Sequence, residues 1–68
     1  MTIWLNEQKD GCGIIQACIA TTNEKAAQDC HSNWLEKLTP QQKKQGWQVT
    51  IKTVANWDDV PVNALKLS

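Results

Sequence analysis

Three thiols and one imidazole are the side chains of this sequence best suited to chemistry. Cysteine thiolates and histidine nitrogens are the ligands of structural zinc sites, and a Cys–His pair can also act as a nucleophile and its base. The only histidine, His31, directly follows Cys30, and the other two cysteines are Cys12 and Cys18. These four residues raise two hypotheses, a zinc site and a catalytic Cys–His pair.

The spacing of the four residues argues against both hypotheses. Five residues separate Cys12 from Cys18 and eleven separate Cys18 from Cys30, whereas zinc ligands usually pair about two to four residues apart. Cys30 and His31 are neighbours on a predicted helix, where adjacent side chains point about 100° apart. We therefore predict no metal, no other cofactor and no catalytic residue. A zinc-stabilised domain is kept as the third hypothesis for function.

Length and composition define the class of protein. A chain of 68 residues suits one small domain, which we assign to residues 1–68. There is no arginine, and seven lysines balance seven acidic residues, so binding to duplex nucleic acid is not expected. No apolar run has the roughly 20 residues of a membrane span, and no signal peptide is evident. Three cysteines, an odd number, favour free thiols in a reducing compartment, so we predict a cytoplasmic protein.

The first part of the chain predicts a β-hairpin over residues 2–21. Asp10 and Gly11 form a strong turn signal between two extended segments. In the second segment, alternation places three apolar side chains on one face. These are Ile15, Ala17 and Ile19.

The next segment predicts the main helix, over residues 22–38. Thr21 and Glu24 have the spacing of a capping box, although Thr22 or Asn23 would serve equally well as the N-cap. Apolar residues then recur every three or four positions, which produces one apolar stripe. The stripe consists chiefly of Ala27, Cys30, Trp34 and Leu38.

Capping signals predict a second, short helix after the first. Thr39 and Pro40 are suited to its N-cap and first position, and Gly46 to a left-handed terminator after Lys44. Residues 47–54 then alternate as a strand. The tail that follows is compatible with a fourth, edge strand or with an irregular path.

Together these elements predict an α+β fold. It is a small two-layer sandwich of order β-β-α-(α)-β, in which one main helix packs on an antiparallel sheet. We expect the helical stripe to cover Ile15, Ile19, Val49 and Ile51. The other sheet face is expected to stay open to water and to carry Gln16, Gln48, Thr50 and Lys52.

The leading hypothesis for function is a small non-enzymatic module that acts by binding another protein, as a regulator, inhibitor or accessory factor. Trp4 lies off the Ile3/Leu5 face of its strand, and Trp57 precedes Asp58 and Asp59 in the tail. Tryptophan at a surface is typical of binding hot spots. The predicted partner site therefore consists of Trp4, Trp57, Asp58 and Asp59. The alternative for both indoles is that they cover the edges of a small core. A homodimer through a sheet edge is a further option.

The second hypothesis is a protein associated with single-stranded nucleic acid. Lys43 and Lys44 lie close to Trp47, and lysines beside an aromatic ring are suited to phosphates and stacked bases. Two adjacent lysines on a short helix more often serve solubility. We therefore rank this hypothesis below protein binding.

Overall fold

The predicted two-layer α+β sandwich is confirmed. A computed structural model describes residues 1–67, so Ser68 of the predicted domain lies outside the described residues. The strands are β1 (Ile3–Lys9), β2 (Ile15–Thr21), β3 (Gln48–Val54) and β4 (Leu65–Leu67). The helices are α1 (Glu24–Lys37), α2 (Pro40–Lys44) and a 3₁₀-helix (Trp57–Asp59).

The four strands form one sheet in the order β3-β1-β2-β4. Strand β1 is antiparallel to both of its neighbours, as expected for a hairpin and a returning strand. Strand β4 forms a fourth, edge strand, which was one of the two options for the tail, and it is parallel to β2. Strands that run parallel to each other are joined by a crossover connection. The chain therefore crosses the sheet between β3 and β4, through residues 55–64.

Local capping chemistry sets the ends of both α-helices. Helix α1 begins at Glu24, because Asn23 is its N-cap and accepts a hydrogen bond from the Ala26 N–H at 3.0 Å. Helix α2 has the full predicted capping box at Thr39, and Gly46 after it has a φ of 91°. No helix within residues 1–67 has the length and apolar character needed to cross a membrane.

Helix α1 packs on one face of the sheet, which we name the helix face. The Asn6 side chain on β1 donates a hydrogen bond from Nδ2 to the Ala27 carbonyl oxygen at 3.1 Å, and both residues are fully buried. The strand register places Ile19 and Ile51 opposite Asn6, as the sequence predicts. Within the predicted stripe, Ala27 and Leu38 are buried, while Cys30 and Trp34 are half-buried.

The opposite face is not open, which corrects the sequence-based expectation. Its buried cluster contains Ile3 and Leu5, which Val60 and Ala64 of the crossing segment cover. We name it the tail face. The predicted polar residues of β3 do lie on this face: the register places Thr50 opposite Glu7. The segment after β3 covers the apolar part of this face, whereas Gln48 and Lys52 of β3 stay exposed.

The prediction that Ile15 lies under the helix is wrong. A register shift between Gln8 and Lys9 places Ile15, rather than Gln16, opposite Lys9. The shift breaks the alternation that groups Ile15 with Ala17 and Ile19, as a β-bulge does. Ile15 is consequently 39% exposed.

Candidate functional site

The four residues of the zinc hypothesis do not converge. Cys12 is exposed in the hairpin turn, Cys18 is buried on the tail face, and Cys30 and His31 lie on α1 across the sheet. Within residues 1–67, no three His, Cys, Asp or Glu side chains are grouped closely enough to hold a metal ion. Burial raises the pKa of the Cys18 and Cys30 thiols, which disfavours the reactive thiolate. That the protein binds no metal stays a prediction.

The residues of the predicted partner site lie on opposite sides of the sheet. Trp4 is half-buried on the helix face of β1, whereas Trp57 packs against the buried cluster of the tail face. Asp58 and Asp59 are exposed in the 3₁₀-helix. The position of Trp57 favours its alternative role, in which the indole covers the edge of a small core. The structure does not bring Trp4 together with the other three residues.

The residues of the nucleic-acid hypothesis differ in burial and in their relation to a cavity. Lys43 and Lys44 are exposed in the last turn of α2, while Trp47 is half-buried and lines a cavity. The charged residue in that cavity wall is Asp10, and neither lysine belongs to the wall. A nucleic acid whose bases stack on Trp47 would therefore bring its phosphates close to the Asp10 carboxylate.

This cavity, here named the turn cavity, lies where the β1–β2 turn meets the connection from α2 to β3. It has a volume of about 420 Å³. Its walls are Asp10, Gly11, Cys12, Gln45 and Trp47. A Cβ atom on Gly11 would overlap the Gln45 carbonyl oxygen, so glycine is required for the turn to lie this close to the connection.

Asp10 organises the turn that forms one wall of the cavity. Its Oδ1 accepts hydrogen bonds from the backbone N–H groups of Cys12 at 2.8 Å and Ile14 at 3.0 Å. Its Oδ2 accepts one from the Gln16 side-chain amide at 2.9 Å. These bonds lower the pKa of Asp10, with that from Ile14 contributing most and partial desolvation opposing it. The cavity wall therefore carries a fixed carboxylate.

The Asp10 network predicts a specific pH dependence of stability. Folding lowers the pKa of Asp10 below its ordinary value of 3.8, so the ionised carboxylate stabilises the folded state. This stabilisation is complete above pH 3.8 and is lost as the pH falls through the pKa of Asp10 in the folded protein. We expect the stability difference between the parent and Asp10→Asn to be constant near neutral pH and to shrink in acid. Urea unfolding at a series of pH values measures it. A difference that stays constant in acid would show that the charge does not stabilise the turn.

A second surface feature lies along the outer side of β2. Strand β4 pairs only with the segment from Ile19 to Thr21, so within residues 1–67 no strand pairs with the outer side of β2 from Ile15 to Cys18. Five of the seven exposed large apolar residues lie at the start of β2 or in and near β4. We name them the apolar edge: Ile14, Ile15, Val62, Leu65 and Leu67.

The other edge of the sheet has a different character. Strand β3 exposes no large apolar side chain, since Val49, Ile51 and Val54 are all half-buried. It also carries Lys52, whose Nζ lies 3.3 Å from Oε1 of the nearly buried Glu7. A charged residue is typical of edge strands that avoid pairing with other chains. The two edges of the sheet are therefore not equivalent as binding surfaces.

Comparison with known proteins assigns no family to the chain. No protein-family model, curated protein or solved structure is significantly similar to it. The turn cavity and the apolar edge are therefore the candidate functional surfaces of the chain. Sequence reasoning missed both, although the apolar pair Ile14 and Ile15 directly after a turn was a visible signal.

Proposed function

We propose that the chain is a non-enzymatic module that binds another protein by accepting an extended segment along the apolar edge. The observation that carries this proposal is the coincidence of an unpaired stretch of β2 with exposed isoleucine and leucine side chains. Ile14, Ile15 and Leu65 are 60%, 39% and 59% exposed, respectively. A partner strand would gain backbone hydrogen bonds from β2 and apolar contacts from these side chains.

The position of β4 supports this binding mode. Strand β4 is only three residues long and pairs beside the end of β2 that leads into α1. An added segment would continue the line of β4 along the free part of β2. Because exposed strand edges of this kind readily pair with other chains, the binding surface is provided by the backbone as well as by the side chains.

The edge of β3 and the lysines of α2 are weaker surfaces for a partner. The β3 edge carries the Glu7–Lys52 ion pair and lacks exposed apolar side chains. The nucleic-acid alternative requires Trp47 to bind bases beside Asp10. The three free cysteines fit a reducing compartment, so we place the proposed function in the cytoplasm.

A library of short displayed peptides, selected against the purified protein, tests the proposal. We expect the selected peptides to perturb the backbone amide signals of residues 15–18 in NMR titrations. The Ile15→Lys variant should bind them at least about tenfold more weakly, because a charge would replace an apolar contact beside the added strand. Leu35→Lys is the matched control, since Leu35 is a similarly exposed apolar residue on α1 (43%) and should change nothing.

Two outcomes would contradict the proposal. The first is a set of peptides that perturb β3 or α2 instead of β2. The second is equal loss of binding in Ile15→Lys and Leu35→Lys, which would show that the effect is not specific to the apolar edge. Sedimentation of the parent protein separates partner binding from self-association through the same edge.

A further inference from the structure

The turn cavity has the size and chemistry of a binding site for one side chain. Its volume of about 420 Å³ lies within the usual range for ligand sites. Trp47 is half-buried and lines the cavity, and aromatic rings attract cations through the ring quadrupole. A planar or cationic group in the cavity would therefore lie beside an aromatic residue.

The charge of the cavity wall favours the binding of a cation. Asp10 is the only charged residue among the five that line the cavity. Within residues 1–67, its Oδ1 accepts hydrogen bonds from the N–H groups of Cys12 and Ile14, and its Oδ2 accepts one from the Gln16 side chain. A carboxylate oxygen can accept two hydrogen bonds, so Oδ2 has capacity for a donor from a ligand.

We infer that the turn cavity binds the guanidinium group of an arginine side chain that belongs to the partner protein. A guanidinium group is planar and stacks on aromatic rings, and its N–H groups can reach a carboxylate at the same time. The ammonium group of lysine would satisfy Asp10 but would stack poorly on Trp47.

The sequence itself indicates where the arginine comes from. None of the 68 residues is an arginine, so neither a segment of these residues nor a second copy of them can supply the group. We therefore assign the arginine to the partner of the proposed function. The turn cavity lies at the end of the sheet where β2 begins, next to Ile14 and Ile15 of the apolar edge. The inference rests on the proposed function in one respect, which is that the molecule supplying the arginine is a protein.

A blocked tripeptide with arginine at its centre tests the inference, with citrulline and lysine versions as comparators. Citrulline has the same shape as arginine without the charge. We expect the arginine peptide to shift the Trp47 indole N–H signal and to bind about tenfold more tightly than the citrulline peptide. Asp10→Asn should remove this preference, because the new amide still accepts the two backbone hydrogen bonds but carries no charge.

Asp59→Asn is the matched control, since Asp59 is an exposed carboxylate close in sequence to another tryptophan, Trp57. It should leave the preference unchanged. Trp47→Leu should abolish binding of all three peptides, and Trp47→Phe should retain part of it. If Trp47→Leu does not fold, the citrulline comparison and Asp10→Asn still decide the question.

Equal affinity for the arginine and citrulline peptides would overturn the inference. Equal effects of Asp10→Asn and Asp59→Asn, or signal shifts confined to residues outside the turn cavity, would do so as well. The citrulline peptide has the same backbone as the arginine peptide, so pairing along β2 would contribute equally to both and cannot produce the arginine preference. Failure of this experiment would therefore leave the proposed strand addition standing, and failure of the peptide selection would leave the arginine site standing.

Discussion

Leu5→Ala is expected to remove a large part of the stability of the fold. Leu5 is 1% exposed on the central strand β1, in the cluster that the crossing segment covers on the tail face. Truncation of a buried leucine costs about 2–5 kcal/mol. A chain of 68 residues has a total stability of roughly 3–10 kcal/mol. Urea unfolding followed by circular dichroism should show a much lower midpoint or no folded baseline.

Leu65→Ala is the matched control for this prediction. Leu65→Ala is the same substitution on a strand of the same sheet, but Leu65 is 59% exposed on β4. Its replacement should alter the free energy of unfolding by about 0.5 kcal/mol or less. Similar costs for the two variants would mean that the crossing segment does not cover the tail face with a packed core.

The elements predicted correctly from the sequence depend on local chemistry. The capping box at Thr39, the proline at position 40 and the left-handed Gly46 each act within a few residues, so the sequence alone specifies them. The same holds for the turn at Asp10, whose side chain binds the backbone of its own turn. Helix α1 was predicted over residues 22–38 and spans Glu24–Lys37, with a cap at Asn23 that was one of three equivalent choices.

The errors concern contacts between different segments of the chain. Periodicity shows that Ile3 and Leu5 share a face, but it cannot show which layer covers that face. The covering residues, Val60 and Ala64, follow more than 50 positions later in a segment without a clear period. The bulge at Gln8/Lys9 is likewise a property of the strand pair, so the exposure of Ile15 could not be predicted from one strand.

The candidate site was only partly predictable for the same reason. Only the second hypothesis gave Trp47 a binding role, and there its predicted neighbours were the lysines of α2. The structure instead places it with Asp10, because the hairpin turn packs against Gln45. Among the residues that line the cavity with Trp47, the charged one is therefore an acid and not a lysine. The class of ligand expected at Trp47 changes with it, from phosphate to a cation.

The second large effect is expected from Asn6→Asp. Asn6 is fully buried, and its Nδ2 donates to the Ala27 carbonyl oxygen of α1. A carboxylate of the same size would lose this donor and place a negative charge against a carbonyl oxygen in a site without water access. Burial of an unpaired charge costs several kcal/mol, so this variant should be largely unfolded at neutral pH.

The penalty in Asn6→Asp should depend on pH with a defined sign. Burial raises the pKa of the introduced carboxyl above its ordinary value of about 3.9. Its destabilisation is therefore smallest below that pH and grows as the pH rises, because only the unfolded chain then accommodates the charge readily. Urea unfolding of the parent and the variant between acid and neutral pH measures this trend.

Asn6→Leu separates the effect of charge from the effect of losing the amide. Oδ1 of Asn6 is buried with no hydrogen-bond partner within residues 1–67, so leucine removes an unsatisfied acceptor. The Ala27 carbonyl keeps its ordinary partner within the helix, the N–H four residues later. We therefore expect Asn6→Leu to lie within about 1 kcal/mol of the parent, or to be more stable. If Asn6→Leu were as destabilised as Asn6→Asp, the hydrogen bond from Asn6, rather than apolar packing, would be what holds α1 on the sheet.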